Sequence, residues 1–350
     1  MVDYPVNPVT QNEVLKNNSV DRLKIFKMIL SGLILITLIV LVLVYRNKKA
    51  DDIESAQADI IAQAVELNNI EEFSLYKEQS GGLYQGGSNQ PQLAQRVKIQ
   101  KQLEQIQPLN GDGVADSSGK IGIVFVGDPY TKGEIEVLND YVQQDSNVDP
   151  SLVFIDGSED KFDTSYWEKS LFAWENLAQN VINENLTTKQ VQIIWINLSL
   201  ADYEVNLEDN IANYSQSLEK IIKNALVNFP NSRVVYLSSP RSASNSKDLE
   251  YIEPNSYESA FGVREVIKRQ EEGSLKFKEN NQMLDSEPVL VWGPYIWTKS
   301  YDGVKDFSYT SDNYEDDGLT FSTSGKQRFA VDLYEFWSKY EYGKSWFLAN

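Results

Sequence analysis

The sequence predicts an α/β fold in which a five-stranded parallel sheet lies between two layers of helices, preceded by a single transmembrane helix. Three observations predict it: an uncharged apolar run from Met28 to Tyr45, short β-rich runs from residue 121 onward, and amphipathic stretches between those runs. Strands that alternate with helices form parallel sheets covered on both faces, and such buried strands are apolar along their length.

The first part of the chain predicts a membrane anchor. Residues 1–27 form a short polar tail. The run 28–45 is long enough to cross most of a hydrocarbon core of roughly 30 Å, and Arg46 follows it directly, which favours an uncleaved anchor over a secretory signal. Basic residues are slightly more frequent before the run than after it, which favours a cytoplasmic N-terminus. We therefore predict a single-pass protein of the cell membrane whose C-terminal domain is extracytoplasmic.

Residues 46–119 are predicted to form a juxtamembrane stalk and linker. Apolar residues from Ile53 to Leu67 recur at helical spacing, and a second helix is predicted over 92–107. The stretch "NGDGVADSSGK" before residue 121 is typical of a flexible linker. For the first helix, coiled-coil pairing and packing on its own domain or on lipid are both open.

Residues 120–342 are predicted to form the α/β domain, and residues 343–350 a C-terminal tail. The predicted strands are 121–126, 152–155, 191–198, 233–237 and 289–292. The predicted helices are 133–144, 165–182, 211–229, 259–284 and 324–340.

The composition excludes several kinds of chemistry. The net charge is −19, with 51 acidic against 32 basic residues, which argues against nucleic acid as a partner. The chain has no cysteine and no histidine. It therefore contains no disulfide and no thiolate site, and neither a Ser–His nor a Cys–His mechanism can operate within it.

In open parallel sheets, ligand sites form at the carboxyl ends of the strands. Three predicted strand ends carry polar motifs. The first strand ends in Gly127-Asp128-Pro129, and the third runs into "NLSLAD", which contains Ser199. A long loop after the fifth strand contains Asp317 and Thr320 just before the last helix.

These motifs, in this order, resemble those of the SGNH (GDSL-type) hydrolases. In that family the first strand ends Gly-Asp-Ser, a glycine follows the second strand, Gly-x-Asn-Asp follows the third, and Asp-x-x-His precedes the last helix. The resemblance covers roughly residues 120–342 and implies a flavodoxin-like strand order, 2-1-3-4-5. The residues that match the pattern are Gly127, Asp128, Gly157, Asp202 and Asp317.

The departures from the family pattern fall on the residues that carry the chemistry. Pro129 stands in place of the nucleophilic serine, Ala201 in place of the oxyanion-binding asparagine, and Thr320 in place of the histidine base. Proline lacks both a hydroxyl and a backbone N–H, alanine has no amide donor, and threonine is not a base at neutral pH. The resemblance therefore implies a degenerate member with no intact catalytic residue.

Four aspartates at the strand ends allow other chemistry: Asp128, Asp202, Asp316 and Asp317. Carboxylates in a cluster can bind a hard cation or transfer protons. Aspartate also commonly accepts backbone N–H groups at turns and helix starts. We favour this role for Asp128 and Asp202, with Asp316 and Asp317 as solvated loop residues. We predict no metal and no cofactor.

The loop from Gly293 to Phe321 is rich in aromatic residues. Their faces could bind a flat polar ligand such as a sugar, or pack over the former pocket. The candidates for ligand binding are Tyr295, Trp297, Tyr301, Tyr309 and Tyr314.

The sequence therefore leads to one main hypothesis and one alternative. The main hypothesis is a membrane-anchored, catalytically inactive SGNH-like domain that binds a ligand or acts as a scaffold at the cell envelope, with an envelope glycan or a protein as its partner. The alternative is an esterase or acyl-transfer enzyme that acts on envelope glycans through non-standard carboxylates or a partner's residues. Fold class does not decide between them.

Overall fold

The structure is a computed structural model of the whole chain. It describes residues 79–200, 206–241, 255–279, 282–284, 287–295 and 309–349, together with 75–76 and isolated helical positions between 24 and 48. The chain divides into two compact units, Met1–Ala62 and Gln63–Asn350. Among the described residues no helix is long and apolar enough to cross a membrane. Most of the predicted span 28–45, and all of the predicted stalk helix 53–67, lie outside the described residues.

A five-stranded sheet forms the centre of the second unit. Its strands, in chain order, are β1 (Ile121–Gly127), β2 (Leu152–Asp156), β3 (Val191–Asn197), β4 (Val234–Ser238) and β5 (Val289–Trp292). The spatial order is β2-β1-β3-β4-β5, and every neighbouring pair is parallel. The predicted architecture and strand order, 2-1-3-4-5, are therefore confirmed, and each strand lies within a residue of its predicted bounds.

Helices cover both faces of the sheet. They are α1 (Leu93–Leu103), α2 (Glu134–Val142), α3 (Thr164–Lys169), α4 (Leu171–Asn183), α5 (Leu207–Asn228), α6 (Asn255–Glu271), α7 (Thr323–Lys339) and α8 (Lys344–Phe347). The predicted helix 165–182 is broken at Ser170, whose backbone is extended (φ −94°, ψ 117°). The predicted helix 259–284 ends at Glu271, because Gly273 adopts a left-handed φ of +73°.

Alternate residues of each strand point to different helical layers. On β1, Ile123 and Phe125 pack with α1, α2, α7 and α8. Val124 and Val126 point the other way and pack with α4, α5 and α6. Since successive side chains of a strand project to opposite faces, one apolar run contributes to both cores. The result is the three-layer α/β/α arrangement expected from the sequence.

Within the described residues, β5 is the edge strand of the sheet, and side chains cap its outer edge. Leu290 N donates to Gln270 Oε1 at 2.7 Å, and Trp292 N donates to the Tyr84 hydroxyl at 3.3 Å. On α1, the buried Ile99 and Leu103 join the core of the domain. Residues 79–103 are thus part of the folded unit, and the predicted stalk is wrong for this segment.

The predicted flexible linker before β1 is also wrong, because its polar residues form ordered turns. The side-chain oxygen of Asn110 accepts hydrogen bonds from Asp112 N and Val114 N, at 3.0 and 3.1 Å. Leu109 is buried and forms β-bridges with Ala115 and Lys120. Turn-forming residues are typical of flexible linkers, whereas here their side chains fix a compact loop.

Residues 343–350 are predicted to form a C-terminal tail, but the first residues of this segment pack on the domain. Trp346 and Phe347 are 3% and 0% exposed. The indole N–H of Trp346 donates to the Tyr236 hydroxyl at 2.8 Å, and Ala349 N donates to Asn147 O at 2.8 Å. The domain therefore extends beyond residue 342, and α8 completes the core on the side of α7.

We expect Ile99→Ala to lower the free energy of unfolding by about 2–5 kcal/mol, the usual range for emptying a buried isoleucine site. The matched control is Val97→Ala on the same helix, where the side chain is 64% exposed and a change within about 0.5 kcal/mol is expected. Denaturant unfolding of both variants measures the difference. Equal, small effects would mean that α1 is a separate stalk after all.

Candidate functional site

The carboxyl end of β1 is anchored by a buried aspartate. Asp128 is 6% exposed, and its Oδ2 accepts both the backbone N–H of Ser199, at 2.7 Å, and the Ser199 hydroxyl. Its carbonyl oxygen accepts Thr131 Oγ1 at 2.6 Å. Burial raises the pKa of Asp128 to about 7, an effect that the two bonds from Ser199 oppose. Asp128 therefore acts as a tie between β1 and the segment after β3.

Two glycines of the motif are required by close packing. A Cβ on Gly127 would lie 2.3 Å from Thr131 Oγ1, and one on Gly157 would lie 2.5 Å from the backbone oxygen of Phe125. The N–H of Gly157 donates to that same oxygen at 2.9 Å. The resemblance to the SGNH hydrolases implies that this N–H binds an oxyanion, but here it bonds the backbone oxygen of Phe125 in β1.

The segment after β3 is held by its backbone carbonyls. Ser199 O accepts the Thr164 hydroxyl at the start of α3, and Leu198 O accepts the Tyr214 hydroxyl from α5. Leu200 N donates to Ser259 Oγ on α6 at 3.3 Å. Ala201 and Asp202, the next two motif residues, lie outside the described residues.

The last motif forms a tight turn before α7. Asp317 Oδ1 accepts Leu319 N and Thr320 N, each at 2.8 Å, and Asp317 Oδ2 accepts Thr320 Oγ1 at 2.6 Å. These bonds outweigh partial burial and lower the pKa of Asp317. Thr320, at the position of the base, is thus engaged with the aspartate that would orient a histidine.

Pro129 and Thr320 line one open cleft. Its volume is about 560 Å³, and its other residues are Tyr130, Lys132, Gly133, Glu136, Asp160 and Lys326. The structure therefore brings together the positions at which the resemblance implies the nucleophile and the base. Pro129 has no nucleophilic atom, and the Thr320 hydroxyl is not a base at neutral pH.

Sequence reasoning missed a buried ion pair beneath this cleft. Arg241 follows β4 and is 6% exposed; its guanidinium bonds Glu134 Oε1, on a fully buried side chain, at 2.8 Å. It also donates to Leu319 O at 2.9 Å and lies 3.8 Å above the Phe321 ring. Arg241 could have been suspected, because the end of β4 lies at the site edge of the sheet. Nothing local in the sequence indicates that Glu134 pairs with it.

The space between these groups is almost filled. A cavity of about 20 Å³ lies among Asp128, Thr131, Asn197, Ser199 and Arg241. One water molecule needs roughly 10–15 Å³ measured in this way, so the cavity has room for water and not for an ester. The crevice at the strand ends is therefore closed below the surface cleft.

The aromatic candidates have different environments. Tyr309 and Tyr314 are 6% and 7% exposed, and Tyr309 stacks on Phe321 with ring centroids 4.9 Å apart. These two rings pack in the core, so their assignment to a ligand platform is wrong. Tyr295 is half-buried and contacts Trp292, with centroids 5.5 Å apart. Trp297 and Tyr301 lie outside the described residues.

The described strand-end carboxylates have local partners. Asp128 accepts from Ser199, Asp317 accepts within its own turn, and Asp316 is exposed to solvent. No cluster of three metal-ligating side chains occurs among the residues that the structure describes. Asp128 thus accepts a backbone N–H, as the sequence favours, and Asp317 accepts two within its own turn although the sequence predicts only a solvated loop residue there.

Comparison with known proteins gives remote structural similarity only. No protein-family model and no curated protein matches the chain. A Slackia heliotrinireducens protein provisionally assigned as an SGNH hydrolase overlays with 11% identity and a TM-score of 0.33, over 62% of this chain and 98% of its own. A Bacteroides fragilis protein provisionally assigned as an acylhydrolase overlays with 13% identity and a TM-score of 0.34, over 70% of this chain and 96% of its own. An Arabidopsis thaliana protein overlays with 9% identity and a TM-score of 0.33, over 59% of this chain and 67% of its own.

Overlays at this level carry no argument about residues or activity. The features that agree with the resemblance drawn from the sequence are the strand order and the positions of the motifs. Gly127 is the last residue of β1 and Asp128 follows it, Gly157 follows β2, Ser199 follows β3, and Asp317 precedes α7.

We expect the stability of the chain to depend on pH through Asp128. Its pKa of about 7 lies above the ordinary aspartate pKa of 3.8, so between these pH values the folded state binds a proton that the unfolded state has lost. Stability from this group is full below the lower value and is lost as the pH rises through about 7. The side chain in Asp128→Asn cannot ionise. The free energy of unfolding of this variant, measured with denaturant between pH about 4 and about 8, should therefore lack the pH dependence that Asp128 contributes.

Asp317→Asn is the control of opposite sign. The pKa of Asp317 is lowered, so its stabilising effect is present above the ordinary aspartate range and is lost as the pH falls. The free energy of unfolding of Asp317→Asn should differ from that of the wild type by a constant amount between pH about 5 and about 8. Parallel curves for the wild type and Asp128→Asn would show that Asp128 does not titrate in this interval.

Proposed function

We propose that this chain is a membrane-anchored, catalytically inactive SGNH-like domain that acts as a scaffold at the cell envelope. One observation carries the proposal. Pro129 and Thr320 line the same cleft, at the places of a nucleophile and its base, in a chain without histidine. Loss of a nucleophile or its base lowers turnover by about 10⁶-fold in the hydrolases where this was dissected.

The groups that could hold an oxyanion are also engaged. The N–H of Gly157 bonds Phe125 O, the N–H of Ser199 bonds Asp128, and Pro129 has no N–H. One oxyanion donor contributes about 10²–10³ to turnover. These occupied donors support inactivity independently of the missing nucleophile.

The form of the crevice supports a scaffold over a small-molecule binder at this edge. The buried part has only about 20 Å³ of space. The surface cleft above it carries Lys132, Lys326, Glu136 and Asp160, charges of both signs. A protein or a glycan could bind across this mixed surface, and we propose one of these as the partner. No observation favours nucleic acid on a chain with a net charge of −19.

One observation favours the alternative, an esterase or acyl-transfer enzyme. Asp128 has a pKa of about 7 and accepts a hydrogen bond from the Ser199 hydroxyl, so a hydroxyl lies beside a carboxylate that exchanges a proton near neutral pH. Ser199 is only 8% exposed, however, and the cavity beside it does not admit an ester. Activity by this route would require the crevice to open.

We expect the purified full chain to show no saturable hydrolysis of p-nitrophenyl acetate above a buffer blank. Asp128→Asn and Ser199→Ala should give the same background rate, because neither residue takes part in hydrolysis on this proposal. Initial rates over a range of substrate concentrations measure this. Saturable hydrolysis that is lost in either variant would establish the enzyme alternative.

The positive control restores the family residues together, as Pro129→Ser, Ala201→Asn and Thr320→His. If the scaffold is intact, this variant should fold, and a slow rate above background would show that the assay detects activity from this site. Its unfolding midpoint separates loss of folding from lack of rate.

Membrane anchoring is the second part of the proposal and is supported by the uncharged run 28–45. We expect the full chain to remain in the membrane pellet after alkaline carbonate extraction, and a chain that lacks residues 28–45 to appear in the soluble fraction. Protease added to intact cells should cleave the C-terminal domain. A full chain that carbonate releases would contradict the anchor, and protection from protease would reverse the proposed orientation.

A further inference from the structure

The loop before β1 contains two reactive sequence pairs in succession. The side chain of an asparagine or aspartate can react with the backbone nitrogen of a glycine that follows it, because glycine has no Cβ to obstruct the approach. The described residues contain four such pairs: Asn110-Gly111, Asp112-Gly113, Asp156-Gly157 and Asp317-Gly318. The surroundings of each glycine N–H in the fold decide which of them can react.

Hydrogen bonds hold three of the four glycine N–H groups. Those of Gly113, Gly157 and Gly318 each donate to a backbone carbonyl oxygen, at 2.9, 2.9 and 3.0 Å respectively. The N–H of Gly111 donates no hydrogen bond within the described part of the chain, and Gly111 is exposed. Attack by one of the other three nitrogens would first have to break a hydrogen bond, which costs free energy. The fold therefore leaves Gly111 as the available nucleophile.

The side-chain carbonyl of Asn110 is polarised by two backbone donors. Its Oδ1 accepts Asp112 N at 3.0 Å and Val114 N at 3.1 Å. Attack on Cγ would place negative charge on this oxygen, and fixed N–H donors stabilise such an oxyanion. The other three pairs carry a carboxyl group, which is a poor electrophile once it is ionised. The amide and the unbonded glycine N–H thus coincide at one pair.

We propose that Asn110 is a site of spontaneous modification, at which the side-chain amide is lost as ammonia and an aspartate or isoaspartate forms. The Gly111 nitrogen gives up its proton and bonds to Asn110 Cγ, and ammonia leaves with that proton, so that a cyclic succinimide remains. Water then adds to one of the two ring carbonyls. Cleavage of the nitrogen–Cγ bond gives aspartate, and cleavage of the bond from nitrogen to the main-chain carbonyl carbon gives isoaspartate. The net change is the gain of water and the loss of ammonia.

The isoaspartate product should loosen the loop. Its main chain runs through the former side chain and is longer by one carbon, so Gly111 O would move away from the Thr187 hydroxyl, which donates to it at 2.7 Å. The same loop holds the buried Leu109, which forms a β-bridge with Lys120 directly before β1. We therefore expect chains with isoaspartate to have a lower unfolding midpoint than Asn110→Asp, which keeps the ordinary main chain.

Peptide mapping of the full chain, incubated in detergent at mildly alkaline pH, tests the proposal. Mass spectrometry detects the exchange of the amide for a carboxyl group, and radical fragmentation identifies isoaspartate. We expect both products to accumulate at position 110 and isoaspartate to form more slowly at Asp112, Asp156 and Asp317. The same chain in denaturant is the comparison, because unfolding releases the three bonded glycine N–H groups. The excess of modification at position 110 should be several-fold larger in the folded chain.

Asp112→Asn is the matched control. It creates a second amide beside a glycine in the same exposed loop, but the N–H of Gly113 is bonded to Asn110 O. In the folded variant, position 112 should react about tenfold or more slowly than position 110, since misplacement of a nucleophile is costly. In denaturant the two positions should react at similar rates.

Gly111→Ala tests the nucleophile directly. A Cβ there would lie 3.5 Å from Thr187 Cγ2, an ordinary van der Waals contact, so the variant should fold. Its methyl group obstructs the attacking nitrogen and should slow the modification by about tenfold.

The proposal is overturned if Asn110 keeps its amide in the folded chain while it reacts in denaturant. It is also overturned if positions 110 and 112 of Asp112→Asn react equally fast in the folded state, a comparison that decides even if Gly111→Ala does not fold. An unchanged rate in folded Gly111→Ala would exclude Gly111 as the nucleophile. Each result is independent of the Pro129 cleft and of membrane anchoring.

Discussion

A single buried carboxylate holds the site end of the sheet together. Asp128 accepts two hydrogen bonds from Ser199, and Ser199 O accepts the Thr164 hydroxyl, so β1, the segment after β3 and α3 are tied around one group. Because the carboxyl is buried, the Ser199 donors are needed to satisfy it. The Gly-Asp motif at the end of β1 is thus explained by architecture, and its presence says nothing about activity.

A second tie closes the crevice from the other side. Arg241 joins the loop after β4 to Glu134 on α2 and to Leu319 in the last motif, with its guanidinium over Phe321. Breaking a buried ion pair by removing one partner typically costs about 3–5 kcal/mol, because the other charge is left without compensation. With both ties in place, the region that would admit a substrate in a hydrolase is occupied by the protein's own side chains.

Features that depend on a local sequence pattern can be predicted from the sequence, whereas features that depend on contacts between distant residues cannot. The strands were predicted closely because apolar runs such as 191–198 end at polar or glycine residues, which is a local pattern. The helix α1 lies within the segment that the sequence predicts to be a stalk. It is held on the domain through Ile99 and through Gln95, which bonds Gln270 across 175 positions of sequence. The pairing of Arg241 with Glu134 spans 107 positions, and no local pattern indicates it.

The capping of β5 also affects the order in which the domain can form during synthesis. Tyr84 and the Trp292 N–H that bonds its hydroxyl are separated by 208 residues. At a translation rate of about 5–20 residues per second, the ribosome makes β5 roughly 10–40 s after Tyr84. During that interval α1 lacks the edge strand that it packs against in the folded domain. The domain can therefore close only after β5 has been synthesised.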